Sequence, residues 1–293
     1  MQELVYQLFN EQMLVWELAR NNNFAMQNSM QKRFNFGNFC VYVKCNPARI
    51  SSLMAKLDKK SIESRPCFLC TENRPVVQRG VEVGNFVILV NPYPIFENHF
   101  TIAHKNHTEQ KFLPYINDFL NFAKNLPDFA IFYNGAKCGA SCPDHQHFQA
   151  APKNYFPVIN DCKSNQSEFK FIKKGKNFRV FSFKNYLRNI IVIEAESGEK
   201  LTQLFENECF KLKKDDSEPM FNILCFYEKG EYRLMIFPRK GFRPTQFYET
   251  DEEKRLIFSP GTVEMSGIFV TSHEKSFNKI KKNDIINIYS QIS

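Results

Sequence analysis

The stretch Asp144-His145-Gln146-His147-Phe148-Gln149-Ala150 constrains this chain more than any other. Its two histidines and second glutamine fall at 145, 147 and 149, every second position. Along an extended strand such residues share one face, whereas in a helix residues two apart point away from each other. Pro143, just before, suits the first residue of a strand better than a helix interior. The spacing predicts a short strand that shows His145, His147 and Gln149 to one side and packs Phe148 and Ala150 on the other. Two imidazoles and an amide on one ledge suit phosphate chemistry or metal binding. The plain alternative is a polar edge strand with chance alternation. Histidine is scarce, however, and five of the six (His99, His104, His107, His145 and His147) fall in one window, which favours the functional reading.

At 293 residues the chain is long enough for a large core and for roughly two domain-sized units. A hydrophobic fraction of 43% with 24% charged residues excludes a disordered chain. The formal charge of +8 suits an anionic ligand such as a nucleotide, a sugar phosphate or nucleic acid. Lysine and arginine are spread without a dense basic run, which disfavours nucleic acid. Nine cysteines, an odd number irregularly spaced, do not make a disulfide framework and point to a reducing compartment. Glu3 with no basic residue before Arg20 gives no signal-peptide start, and apolar runs such as 86–90 are too short to span a bilayer. The expectation is a soluble cytoplasmic protein.

Val5, Phe9, Met13 and Trp16 recur at helical spacing and predict a helix over 3–20, stopped by Asn21-Asn22-Asn23. Residues 39–43 alternate as a strand, and 52–65 suggest a loop or short surface helix. Strands follow at 86–90 and 99–104, a helix at 112–126, and a strand at 129–133. After Pro157 the order begins again: strands at 178–183 and 189–194, a helix at 201–212, and a hairpin of 222–227 and 232–237 around Glu228-Lys229-Gly230-Glu231. This is an antiparallel α+β arrangement repeated twice. The second repeat has only His273 and no His-x-His, and is read as degenerate. The expected division is 1–158, a catalytic half with an N-terminal helix, and 159–293, the degenerate half.

Three constellations carry chemistry. Cys67-Phe68-Leu69-Cys70 offers two thiolates at zinc spacing, which distant histidines can complete; two buried cysteines or a redox pair are the alternatives. The small-residue loop 134–141 exposes backbone amides that can cradle a phosphate, or is a plain flexible loop. His147, central on the ledge, is the better nucleophile: a neutral imidazole can attack phosphorus once its second nitrogen is held by an acceptor. Loop amides and Gln149 would then bear the charge on the phosphoryl oxygens. Arg239, Lys240 and Arg243 could hold a second phosphate or an acceptor, although a solvated basic turn is the commoner outcome.

Asn91-Pro92-Tyr93-Pro94, His99, Lys105-Asn106-His107, Asn134, Gly139 and His145-Gln146-His147-Phe148-Gln149 together resemble the histidine-triad (HIT-like) superfamily. The His-x-His-x-Gln form is similar to its transferase branch, which holds galactose-1-phosphate uridylyltransferases, diadenosine tetraphosphate phosphorylases and GDP-hexose phosphorylases. Tyr155-Phe156-Pro157-Val158 and the stretch from Ser259 to Gly267 resemble the GDP-hexose phosphorylases. The resemblance implies a HIT-like fold of two tandem antiparallel-sheet-plus-helix repeats. It implies His147 as the nucleophile that accepts a nucleotidyl group, with Gln149 steadying the intermediate. It implies Cys67, Cys70, His107 and His145 as ligands of a structural zinc, and Asn134, Gly139 and Ser141 as the phosphate-contacting loop. His99 matches a position expected to supply a supporting hydrogen bond, and His104 has no role.

The expected enzyme is a nucleotidyltransferase or phosphorylase. Its substrate would be a nucleoside diphosphate sugar or dinucleoside polyphosphate, its acceptor phosphate or a sugar phosphate, and its state a monomer or homodimer. The alternatives are a nucleotide hydrolase of the same superfamily and a non-catalytic, zinc-stabilised nucleotide-binding protein.

Overall fold

The apolar runs Phe86–Val90 and Phe129–Asn134 are buried at every position. A strand tolerates that only inside a sheet covered on both faces. In the computed structural model, which describes residues 1–49, 59–212 and 217–293, both runs sit within a ten-stranded antiparallel sheet.

In chain order the strands are β1 (Met30–Asn35), β2 (Cys40–Cys45), β3 (Gly80–Val83), β4 (Phe86–Val90), β5 (Phe100–His104), β6 (Phe129–Asn134) and β7 (His147–Pro152). They continue as β8 (Phe169–Gly175), β9 (Phe178–Phe183), β10 (Ile191–Ala195), β11 (Phe221–Glu228), β12 (Glu231–Pro238) and β13 (Ile268–Thr271). The large sheet runs β3-β4-β5-β7-β6-β11-β12-β10-β9-β8. Read outward-in from either edge, each five-strand set follows the same order, its fifth strand inserted between the third and fourth. A helix follows the third strand in each set, Ile116–Asn125 in one and Gly198–Leu212 in the other. The two sets join where β6 pairs antiparallel with β11, Asn134 lying opposite Asn222. The tandem α+β repeat expected from element order is therefore present.

Both repeat helices and the N-terminal helix Gln2–Val15 cover one face, around a core that includes Phe112, Phe119, Phe148, Phe205 and Phe221. The other face is covered by the small sheet β1-β2-β13, in which β2 and β13 run parallel, and by the C-terminal helix Lys282–Ile292. Phe148 anchors β7 in the first core, its ring stacked on Phe86 and edge-on to Phe119. Burying such a ring contributes on the order of 2–3 kcal/mol and sets the register that turns His147 and Gln149 to the opposite face.

Several expectations shift. The helix expected over 3–20 breaks at Trp16, which is extended (φ −107°, ψ 95°), and a second helix spans Glu17–Gln27. The run 21–23 lies inside that helix rather than ending it. Asn22 Nδ2 donates to the Pro92 carbonyl at 2.7 Å, a tertiary contact that overrides low helix propensity. Of the stretch 52–65, residues 52–58 lie outside the described residues, and a short helix spans Lys59–Ser64. Strands β3 and β8 and the helix Pro157–Ser164 were not expected. β3 and β8 are the two edge strands of the large sheet; β3 has only four residues and no fully buried one, and β8 is exposed at every position after Phe169, so neither carries a buried apolar run.

Candidate functional site

The sequence ledge divides in two. β7 begins at His147, and His145 lies in the bend before it. Pro143 and Asp144 form a turn rather than starting the strand, so the alternation of side chains does not extend back to 145. His145 faces the Cys-x-x-Cys, and His147 faces a cleft on the small-sheet side of the large sheet.

The His147 ring is held in one tautomer. Its Nδ1 donates to the His145 carbonyl at 2.8 Å, which leaves the Nε2 lone pair free. Burial pushes its pKa down to about 4, so the ring is neutral at physiological pH. Gln110 fixes the backbone beneath it. Its Oε1 accepts from the His147 amide (2.8 Å), while Nε2 donates to the carbonyls of Asn134 (2.9 Å) and His147 (3.1 Å). One amide side chain thus ties the ends of β6 and β7 together.

Gln149 is oriented by a relay. The Ile95 amide donates to His99 Nδ1 (3.2 Å), so the proton of His99 sits on Nε2 and is donated to Gln149 Oε1 (2.8 Å). Gln149 therefore presents its NH2 group, a donor, to the cleft it lines. His99 is buried, and burial together with the nearby Arg49 charge lowers its pKa to about 3, which keeps the relay in one protonation state.

The 134–141 loop lies along the same cleft, with Asn134, Gly139, Ala140 and Ser141 on its wall. Gly139 has φ +96°, and a Cβ there would lie 2.8 Å from Gly261 Cα and 2.9 Å from the Pro260 carbonyl. Only glycine lets the loop lie this close to the segment from the second repeat. Asn134 Oδ1 accepts from the Thr262 amide (2.7 Å), Thr262 Oγ1 (2.8 Å) and Asn222 Nδ2 (3.0 Å). Its oxygen is thereby committed to the protein, and Nδ2 is the group left to face a ligand. Arg65 donates to the Ser141 carbonyl (3.1 Å) and braces the far end of the loop.

The opposite wall comes from the second repeat and the small sheet: Arg243, Ser259, Gly261 to Glu264, Thr271 and Ser272, with Arg49 beyond β2. Glu264 is buried, and burial raises its pKa to about 7. Its carboxylate accepts from the amides of Gly261 (2.8 Å) and Val270 (3.3 Å), which fits a structural role in shaping this wall.

Beside the cleft, Cys67, Cys70, His107 and His145 converge, one ligand atom from each within 4.8 Å of all the others. Cys67 Sγ lies 3.2 Å from His145 Nδ1, and Cys70 Sγ lies 3.3 Å from His107 Nδ1 and 3.5 Å from His145 Nδ1. A sulfur and a nitrogen on one tetrahedral zinc stand about 3.5 Å apart, given bonds of about 2.3 and 2.0 Å. His145 Nε2 donates to the His104 carbonyl (2.8 Å), which turns the Nδ1 lone pair toward the thiols. His107 Nε2 faces Asp144 at 3.6 Å, an outer carboxylate of the kind that orients metal-bound histidines. Hydrogen bonding from Cys142 and His145 pulls the Cys67 thiol far below its usual range, toward the thiolate a metal requires. These four residues fit a divalent metal. Cys142, with Sγ 3.6 Å from Cys67 Sγ, and Asp144 form an overlapping group with Cys67.

The nine residues expected to act as nucleophile, stabiliser, phosphate loop or metal ligands lie in these two adjoining places: His147, Gln149, Asn134, Gly139 and Ser141 on the cleft, Cys67, Cys70, His107 and His145 in the cluster. His104 packs its ring against Phe86 and Tyr115, away from both. Arg239 does not reach the cleft: it is buried and donates to the carbonyls of Ile292, Pro260, Gly241 and Phe242 and to Asn222 Oδ1. Sequence reading missed Gln110, Asn222, Thr262 and Arg49. Each acts across the fold; Asn222 and Thr262 fell in stretches already marked, 222–227 and 259–267, but neither stretch pointed to its partner.

Two family models match. A domain of unknown function, DUF4922, matches residues 8–152, and the GDPGP1-like C-terminal domain matches residues 163–293. No curated protein matches the sequence. Among solved structures, yeast Ap4A phosphorylase Apa2 is 13% identical, with 94% of this chain and 93% of that one aligned at a TM-score of 0.58. The same yeast enzyme in complex with Ap4A aligns over 94% and 96% at 14% identity and a TM-score of 0.53. The chain shares its fold with the yeast enzyme.

Proposed function

We infer the activity of this chain from its place in the histidine-triad-like superfamily, on the branch of the galactose-1-phosphate uridylyltransferases and GDP-hexose phosphorylases. It is a nucleotidyltransferase or phosphorylase that acts on a nucleoside diphosphate sugar or dinucleoside polyphosphate through a covalent nucleotidyl-histidine. The observation that carries this reading is the His147 ring: neutral, tautomer-fixed, and aimed by Nε2 at a cleft edged by a backbone loop.

The chemistry divides into two displacements. His147 Nε2 attacks the α-phosphorus, and the bond to the bridging oxygen breaks, with its electron pair leaving on the departing phosphate. The imidazole now carries a positive charge, with Nδ1–H still on the His145 carbonyl. The Gln149 NH2, Asn134 Nδ2 and the amides around Gly139 and Ser141 take the charge on the phosphoryl oxygens. An acceptor oxyanion then attacks phosphorus, and the N–P electron pair returns to Nε2.

Cys67, Cys70, His107 and His145 would hold zinc, whose part is structural. His145 uses its ring for the metal and its carbonyl for His147, so the metal fixes the nucleophile through one residue. Residues 1–158 form the catalytic half and 159–293 the degenerate half, which supplies the far wall.

Incubation with nucleotide sugars or dinucleoside polyphosphates labelled at the α-phosphate tests the reading. Wild type should acquire an acid-labile label and His147→Ala, folded by circular dichroism, should not. A wild type that binds these nucleotides without label or turnover would leave the non-catalytic binding reading in place.

A further inference from the structure

One thiol stands against the Cys/His cluster without belonging to its four. Cys142 Sγ lies 3.6 Å from Cys67 Sγ, and the compact group it joins holds Cys67 and Asp144 but not Cys70, His107 or His145. The same sulfur lies 3.5 Å from Asp144 Oδ1. Cys142 is 0% exposed, in a small core with Leu69, Val87, Leu89 and Ala103. Cys67, at 9% exposed, is the outer member of the pair, so a small solute meets it first. An ion held by Cys67, Cys70, His107 and His145 leaves the Cys142 thiol unbound and touching a bound sulfur.

Both backbones are tied to the site. The Cys67 carbonyl accepts from the Cys70 amide (3.2 Å) and from Asn73 Nδ2 (3.0 Å), so a fixed turn presents this sulfur. The Cys142 carbonyl accepts from the His145 amide (3.3 Å), closing the turn over Pro143 and Asp144. Just before it, Ser141 lines the cleft and its carbonyl takes Arg65. A pull on Cys142 therefore reaches His145, whose own carbonyl holds the His147 ring.

We propose that Cys67 and Cys142 are a redox modification site: a hydroperoxide oxidises Cys67, Cys142 closes a reversible disulfide on it, and the cluster loses one of its two thiolates. In the first step the Cys67 thiolate sulfur attacks a peroxide oxygen. An S–O bond forms, the O–O bond breaks and hydroxide leaves, giving a sulfenic acid. In the second step the Cys142 sulfur attacks the Cys67 sulfur. The S–S bond forms, the S–O bond breaks, and the hydroxyl departs as water with the Cys142 proton. Two electrons pass from the sulfur pair to the peroxide. The sulfurs must close from 3.6 Å to about 2 Å, which draws the turn at 142–145 toward Cys67. Cys70 has its partners on the other side, His107 at 3.3 Å and His145 at 3.5 Å, and stays with them. Three ligands hold an ion less tightly than four, and His145 is then free to shift. The effect on nucleotide transfer rests on the covalent reading above; the disulfide does not.

The test uses the full chain, purified in reductant and then freed of it. Hydrogen peroxide is added in steps, the protein is denatured with N-ethylmaleimide to block remaining thiols, and peptides are sequenced by mass spectrometry. A chromogenic chelator follows metal release in parallel. A cross-link between Cys67 and Cys142, lighter than the two peptides by two hydrogens, should appear together with released metal and vanish with dithiothreitol. Cys142→Ser should lose the cross-link and release metal roughly 10-fold more slowly, because no thiol at that distance captures the sulfenic acid. Cys142→Ala serves the same purpose if a hydroxyl unfolds this apolar pocket. Nucleotide labelling of wild type should fall in step with the cross-link and return with reductant and zinc. A cross-link from Cys67 to Cys70, a Cys67 oxidised while Cys142 is still alkylated, or folded Cys142 variants as sensitive as wild type overturns the pair. If untreated wild type takes no nucleotide label, the covalent reading fails, and the cross-link and metal release decide the pair by themselves. In a preparation without metal the cross-link alone decides it.

Discussion

Gly139→Ala isolates the contact that presses the 134–141 loop against the second repeat. At φ +96° an alanine is strained by about 1–2 kcal/mol. Its Cβ would also stand 2.8 Å from Gly261 Cα, 2.9 Å from the Pro260 carbonyl and 3.2 Å from the Gly261 amide. These are backbone atoms, so relief requires one segment to move, an overpacking cost of about 1–3 kcal/mol. Against this, the loss of glycine's freedom in the unfolded chain returns about 0.4–1 kcal/mol. The net is a destabilisation of roughly 1–4.5 kcal/mol. Gly37→Ala is the control. Its φ is +80° but nothing lies within 4 Å of the added Cβ, so only the strain remains, roughly 0–1.5 kcal/mol net. Urea unfolding of the two variants at one pH, with m-values compared, reads the difference. A Gly139→Ala protein no less stable than Gly37→Ala would refute the close packing of loop and second repeat. Because that packing shapes the cleft wall, nucleotide labelling should fall more in Gly139→Ala than in Gly37→Ala.

Three further outcomes are expected. His99→Leu removes the bond that holds Gln149 Oε1 and frees the amide to rotate; labelling should slow by about 10- to 100-fold, somewhat under the loss of a whole oxyanion donor, while the protein stays folded by circular dichroism. Cys70→Ser, or a strong chelator, should lower zinc measured by elemental analysis from about one per chain and lower the unfolding midpoint; a clean wild-type preparation with no metal would remove zinc from the picture. Glu264 has its folded-state pKa raised from 4.5 to about 7 by burial, so its contribution to stability is full below about pH 4.5 and is lost as pH rises toward 7. The fall amounts to about 3 kcal/mol. Glu264→Gln should be flatter than wild type over this window in pH-dependent urea unfolding, and parallel profiles would refute the buried carboxyl.

The candidate site residues and the tandem order of elements were legible in local pattern. His147 and Gln149 keep a strand's two-residue period, and Phe148 and Ala150, which alternate with them, are apolar, so their sidedness is a local property that survives into β7. The Cys-x-x-Cys spacing and the clustered histidines were legible for the same reason: few residue types do that work, and they stood close together. Tertiary structure alone decided that His145 leaves the ledge, because the turn at Pro143 and Asp144 is fixed by Arg65, His107 and the thiols 37 or more residues away. It also decided that Arg239 is buried among carbonyls while Arg243 reaches the cleft, a distinction between two arginines four residues apart that rests on Ile292, Asn222 and Ser259. The junction of the repeats, Asn134 with Asn222 and Thr262, joins residues up to 128 positions apart. Periodicity reports which face a residue shows to its neighbours in the chain; which distant group will meet that face depends on how the sheets and helices pack, and no local pattern records it.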